Sequence, residues 1–262
     1  MGRDGGTAGR VAGLSPRTAR LLSVVAFFGL WWLTAIWLGP RLCPDPLTVF
    51  RFLASASASG ELPYHLAITL LRVAAAFAIA MAIGAALGLA MGRSVAANVV
   101  LEPWVILLLN APALVVIVLA YIWIGLVESA AILAVALNKI PNVAVTVREG
   151  ARAMDPAYME MAKVYRFPRR RVIADVIVPQ LMPYLAAAGR SGLALIWKIV
   201  LVVELLGRPN GVGFQIHLYF QTFDVRAILA YTIAFVAIML AVELLLVQPV
   251  ESRVYRWRPR PA

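Results

Sequence analysis

Residues 149–184 read EGARAMDPAYMEMAKVYRFPRRRVIADVIVPQLMPY, a charged, arginine-rich stretch set in a chain that is otherwise almost continuously apolar. The contrast between this stretch and its flanks decides the fold. The chain is 62% hydrophobic and 14% charged, with a mean hydropathy of +0.85, which excludes the polar mix of a soluble domain. A bilayer core about 30 Å thick needs roughly 20 apolar residues per helical crossing, so charge-poor runs of that length are candidate spans.

Six runs qualify. Residues 21–39 carry Trp31, Trp32 and Trp37, aromatic anchors suited to an interface. Residues 73–92 lie between Arg72 and Arg93, and Gly84 and Gly88 suit close helix contact in lipid. Residues 103–127 and 129–147 form a tight hairpin, and 181–206 and 227–250 complete the set around a loop bearing Gly207, Gly211 and Gly213. The predicted fold is all-α: six transmembrane helices, with a helix-turn-helix loop over about 148–180. The six-span domain occupies 21–250, between basic tails at 1–20 and 251–262. The first run exceeds the apolar core of a signal peptide and no A-x-A site follows it, so it reads as a span.

Orientation follows from the basic residues, because Lys and Arg are retained on the cytoplasmic side. With the N-terminus inside, the inner segments hold sixteen of the 24 basic residues, among them Arg93, Arg148, Arg152, Lys163 and Arg166; the outer side keeps Arg41, Arg51, Arg208 and Arg226, with Arg72 at the edge of the second span. Both termini are therefore predicted to be cytoplasmic. Positive-inside topology and anionic lipid account for the net charge of +11, so no nucleic-acid partner is implied. Cys43 is the single cysteine, and His65 and His217 have no metal-ligand neighbours at helical spacing. No catalytic residue and no metal ligand is expected, since no G-x-S-x-G, H-E-x-x-H or Walker A lysine occurs.

Within the opening stretch, Asp155-Pro156 is a helix start: the Asp side chain caps free N–H groups and Pro fits the first helical position. A helix is predicted over 156–165. Phe167-Pro168 interrupts it, and a second helix begins at Pro168 with Arg169, Arg170 and Arg171 in a first turn where the helix dipole prefers negative charge. The residues leave two readings open, lipid phosphate contacts or a docking surface for another chain.

Glu160-Met161-Ala162, followed by Val176-Ile177-Val178-Pro179, resembles the E-A-A…G…I-x-L-P signature of permease subunits in bacterial ABC importers, with the family's spacing from Glu160 to Pro179. Val176 and Val178 are apolar swaps for its isoleucine and leucine, and two departures are larger: Met161 replaces the central alanine, and Arg166 stands where the signature has glycine. The resemblance runs from about residue 44 to 257 and narrows to the nitrate, sulfonate and taurine branch, through Pro44-Asp45-Pro46, Leu70-Leu71-Arg72-Val73, Trp197, Glu204, Gly211-Val212-Gly213 and Arg256-Trp257. It implies a bacterial inner-membrane permease that works as a pair, a homodimer docked on two cytoplasmic ATPase subunits and served by an extracytoplasmic binding protein. ATP and Mg would belong to the ATPase, with no cofactor in this chain. It also implies that Met159, Glu160, Ala162, Arg166, Pro168, Arg169, Arg170 and Pro179 couple to the ATPase, Glu160 pairing with a basic residue there.

Charged and polar groups at bilayer depth are the other candidate site, because they are costly unless they face a cavity or a partner. Lys139, flanked by Asn138 and Asn142 and close to Pro141, is the leading translocation-path residue; the alternative is a lysine paired with a carboxylate on a neighbouring helix. Lys198 and Glu204 stand roughly 120° apart around a helix and are not expected to pair. Glu204 either forms part of an outer gate or caps the following glycine loop. Glu243 reads as structural. Asn110 with Pro112 reads either as a pore-lining irregularity or as an interhelical hydrogen bond. The competing function is a stand-alone ion-coupled carrier or channel, but the inverted repeats common in carriers are not found.

Overall fold

A computed structural model describes residues 16–255, and every regular element within them is helical. The elements are α1 (Pro16–Leu38), α2 (Pro46–Ala58), α3 (Glu61–Arg93), α4 (Val95–Asn110), α5 (Ala113–Ile124), α6 (Glu128–Arg152), α7 (Pro156–Val164), α8 (Arg169–Gly207), α9 (Val212–Gln221) and α10 (Val225–Val254). The Arg256-Trp257 tail and most of the N-terminal basic tail lie outside the described residues.

Five helices, α1, α3, α6, α8 and α10, are long and apolar enough to cross a membrane, and α4 with α5 supplies a sixth span if the pair counts as one. The third span expected over 103–127 is broken at the irregularity read as one alternative for Asn110 with Pro112. The two helices meet at a bend of 100°. Pro112 has no N–H to donate and drives the residue before it out of helical geometry; Ala111 accordingly sits at φ −68°, ψ 124°. The pair also starts earlier than expected, at Val95, where the Ser94 side chain accepts the Ala97 N–H at 3.2 Å. Glu102 does not end α4, because Arg148 of α6 neutralises it at 3.0 Å.

The second span is likewise longer than 73–92. Helix α3 runs 33 residues from Glu61, about 50 Å at 1.5 Å per residue. Arg72 therefore lies inside the helix rather than at its edge. A buried arginine is tolerated there because two carboxylates meet it, as described below.

Helix α6 is the centre of the bundle: 61% of its most apolar window is buried, against 6% for α1. Its tightest neighbour is α3, and the reason is Gly84, Gly88 and Gly92 at four-residue intervals on one helix face. A Cβ at Gly84 would lie 2.6 Å from Val143 Cβ, one at Gly92 would lie 2.5 Å from Ala151 Cβ, and one at Gly88 would strike the Ala144 carbonyl oxygen. Small residues let two backbones approach in lipid, where packing rather than hydrophobicity drives association. Helix α8 packs on both α6 and α3. Helix α10 packs on α2 and α9. At the start of α2, Asp45 caps as its sequence context suggests, its carboxylate accepting the Thr48 N–H at 3.0 Å.

Candidate functional site

Helix α7 lies between the C-terminal end of α6 and the start of α8. Asp155 caps it, accepting the Ala157 N–H at 2.9 Å, and Pro156 occupies its first turn. Its end is a Schellman motif: the Phe167 N–H reaches the Ala162 carbonyl at 2.9 Å and the Arg166 N–H reaches the Lys163 carbonyl at 3.0 Å. The residue closing that motif adopts left-handed geometry, and Arg166 does so with φ 52°. The turn typical of glycine is thus retained without glycine. Pro168 then caps the three-residue start of α8, and a π-helical stretch at Val172–Ile177 leads into the long span.

The periodicity of α7 sorts the predicted coupling residues into two sets. Glu160, Arg166, Pro168, Arg169, Arg170 and Pro179 are exposed. Ala162 is buried and Met159 is half-buried against the cluster around Val143 and Val147, so these two fasten α7 to the bundle and do not face outward. Met154 also packs into that cluster. Around Glu160 the exposed side chains include Tyr158, Met161, Val164 and Tyr165, the last two more than 70% exposed. An apolar patch of this kind on a charged helix marks an interaction surface.

At the opposite end of α6 and α8 lies a buried ionic network that sequence reading found only in fragments. Arg72 of α3 is 3% exposed and Glu204 of α8 is 0% exposed, and they pair at 2.8 Å. Arg72 also binds Glu128 at the start of α6 through two nitrogens, at 2.5 and 3.0 Å. The same guanidinium donates to the Asn210 carbonyl at 2.8 Å and to the Asn210 side-chain oxygen. Glu204 accepts the Gly213 N–H at 2.8 Å, and the Thr69 hydroxyl stands 2.9 and 3.0 Å from its two oxygens. Of the two readings of Glu204, the geometry carries the loop-capping one. The glycines around it are required by contact: a Cβ on Gly211, which has φ +107°, would overlap the Glu204 carboxylate, and one on Gly213 would overlap the Leu201 carbonyl. His65 accepts the Gly211 N–H through Nδ1 at 3.0 Å, and Arg208 meets Glu128 at 2.8 Å. Thr69 and Asn210 gave no sequence signal, since neither is charged and neither sits in a motif.

The remaining polar candidates lie on α6 and α8, apart from Asn110 on α4 and Glu243 on α10. Lys139 is 3% exposed and lies over Gly192 of α8, where a Cβ would come 2.7 Å from the lysine Cε. Among the described residues no carboxylate pairs with it, contrary to the alternative considered for it. Asn138 and Asn142 are half-buried on the open side of α6, Asn138 donating to the Ala134 carbonyl at 2.9 Å. Lys198 is exposed, on a stripe of α8 that includes Ala187, Ser191, Ala194 and Val202. Asn110 is exposed at the bend between α4 and α5, where its side-chain N–H satisfies the Ile106 carbonyl at 2.8 Å, within its own helix. Glu243 pairs with Arg190 at 3.4 Å. Among the described residues no group of three or more His, Cys, Asp or Glu side chains could hold a metal ion.

This arrangement, an exposed short helix at one end and a latched loop at the other, has counterparts among known proteins. Residues 78–248 match the family described as binding-protein-dependent transport system inner membrane component. The aliphatic sulfonates transport permease protein SsuC of Escherichia coli is 36% identical over 200 residues, 76% of either chain. The taurine transport system permease protein TauC of the same organism is 27% identical over 206 residues, 76% of this chain and 75% of its own. In three dimensions the helices follow those of a crystal structure of an amino acid ABC transporter with histidines, with a TM-score of 0.61 at 20% identity, over 77% of this chain and 98% of that one.

Proposed function

This chain belongs to the family of binding-protein-dependent transport system inner membrane components, and on that premise we propose that it forms half of a translocation path driven by a separate ATPase. It is a multi-pass permease of the ABC importer class. In the proposed arrangement both termini and α7 are cytoplasmic, two copies of the chain pair across the open face of α6 and α8, and each α7 inserts into a groove on one of two ATPase subunits. An extracytoplasmic binding protein delivers the cargo at the opposite end. The cargo is a small oxyanion such as an aliphatic sulfonate, taurine or nitrate, by likeness to the named relatives. Asn138, Asn142 and Lys198 line the path, with Asn110 at the bend beside it.

The observation that carries this reading is the α7 surface. Glu160 stands exposed among Tyr158, Met161, Val164 and Tyr165, while Ala162 and Met159 tie the helix to α6 and α8. A load applied to α7 therefore reaches these two spans. The chain itself supplies no hydrolytic centre in this scheme; ATP and Mg are bound by the partner.

Purification from detergent tests the assignment. Co-purification with an ATPase whose loss abolishes uptake supports it, whereas full transport by this chain alone in liposomes under an ion gradient would establish the competing carrier. Within the complex, Glu160→Lys should lower uptake and substrate-stimulated ATP hydrolysis while membrane insertion stays intact. Unchanged uptake would refute the assignment of α7 as the lever.

A further inference from the structure

Five cations of the membrane-spanning helices bear on the path: Arg72, Lys139, Arg148, Arg190 and Lys198. Arg72, Arg148 and Arg190 each pair with a carboxylate. Lys139 and Lys198 pair with none among the described residues. Lys198 is exposed on the open face of α8, where a second copy or water can reach it. Lys139 is different, because it is 3% exposed inside the interface of α6 with α8.

The bundle makes specific room for it. Gly192 is the α8 residue beneath the lysine stem, and any side chain there would meet Cε at 2.7 Å and Nζ at 3.6 Å. The gap lets the lysine stem lie against α8 at Gly192; the adjacent residue, Ser191, is exposed and stands two helical turns from Lys198 on the same face. On α6, the half-buried Asn138 and Asn142 lie one and three residues from Lys139. A cation with a permanent carboxylate partner is neutralised and attracts nothing. One held without a partner, in surroundings of low dielectric, exerts its field on whatever anion enters.

We propose that Lys139 is the charge-selecting residue of the translocation path, the counter-charge for an anionic cargo as it passes between α6 and α8. The inference rests on the permease reading above and adds to it the residue that makes the path anion-selective. When α6 and α8 shift, Gly192 uncovers the ammonium, and the oxyanion replaces part of its lost hydration there.

The test uses the whole complex of permease, ATPase and binding protein in proteoliposomes, with methanesulfonate and nitrate as probes. Lys139→Met should leave ATP hydrolysis and co-purification of the ATPase intact and lower uptake about tenfold, equivalent to ~1.4 kcal/mol. A second variant separates charge from shape. Cys43 is the chain's only cysteine, so Lys139→Cys in a Cys43→Ser background carries one thiol. Aminoethyl methanethiosulfonate, which restores an ammonium, should restore uptake; the neutral hydroxyethyl reagent of similar size should not. Equal rescue by both reagents, or wild-type uptake by Lys139→Met, would overturn the inference and leave the permease assignment standing. So would a wild-type complex that couples ATP hydrolysis yet carries neither anion. Loss of ATPase association in the wild type would instead refute the permease reading itself.

Discussion

Replacing Arg72 by methionine is expected to destabilise the bundle more than replacing Glu204 by glutamine, although the two form one ion pair. The asymmetry comes from who remains. Without Glu204, Arg72 keeps a two-nitrogen pair with Glu128 at 2.5 and 3.0 Å. Without Arg72, Glu204 keeps only the Thr69 hydroxyl and the Gly213 N–H, at 0% exposure and with no other cation in contact. Glu128 survives the loss of Arg72, since it is 46% exposed and still meets Arg208 at 2.8 Å. Removing one partner of a buried pair costs about 3–5 kcal/mol, so Glu204→Gln belongs near 3 and Arg72→Met near 5. Interhelical hydrogen bonds between neutral groups in membrane proteins average only ~0.6 kcal/mol, so a loss of that size would mean charge pairing contributes little. The double variant Arg72→Met/Glu204→Gln should be more stable than Arg72→Met alone, because the orphaned carboxylate is gone. Unfolding titrations in mixed detergent micelles, followed by circular dichroism, measure all three. Additive losses in the double variant, or a Glu204→Gln that is the worse of the two, would refute the reasoning.

Three further outcomes are expected. Gly88→Leu should force α3 from α6, since even a Cβ strikes the Ala144 carbonyl and approaches Val147 Cβ to 2.8 Å; the loss should be about 3 kcal/mol or more, of the order of severe overpacking, and be visible as reduced folded yield and lowered thermal stability in detergent. Arg166→Gly should relieve the left-handed turn at the end of α7 by about 1 kcal/mol, seen as roughly fivefold slower hydrogen exchange at the Arg166 and Phe167 amides, with Arg166→Ala showing no such gain. Acid should loosen the caps of α2 and α10. The Thr48 hydrogen bonds hold the Asp45 carboxyl below its ordinary value. Burial pushes the Asp224 carboxyl up, but hydrogen bonds from Arg226 and from the Ala227 N–H outweigh it and hold that carboxyl low as well. Both groups therefore stabilise the fold above the ordinary carboxylate range, near pH 4, and lose that contribution as pH falls through their depressed values. Asp224→Asn should remove the part of the acid response that belongs to α10, measured as the pH dependence of thermal unfolding.

What the sequence made legible was whatever is local. Asp155-Pro156 and the glycines Gly84 and Gly88 of α3 act on neighbours within a turn or two, or on one face of one helix, and they read correctly. The bend at Pro112 was also local, and an irregularity was one of the two readings of Asn110 with Pro112, but hydropathy, blind to a missing N–H, carries no measure of its 100° angle. The largest miss was Arg72. Charge-free windows end at an arginine, but its partners lie 56 and 132 positions away, and only their arrival in space lets α3 continue through it. The same distance dependence decides the candidate site. In the sequence, Lys139, Arg190, Lys198, Glu204 and Glu243 are five charges at depths where charge is costly, and only the flanking asparagines and Pro141 set Lys139 apart. In the folded chain Glu204 belongs to the latch with Arg72, and Arg190 and Glu243 belong to each other. Elimination leaves the two lysines of α6 and α8, and of these only Lys139 is buried, with no carboxylate paired to it among the described residues. A protein that neutralises its other buried charge with two carboxylates has the means to neutralise this one; leaving it unpaired is costly for the resting bundle and is repaid only when an anion is present.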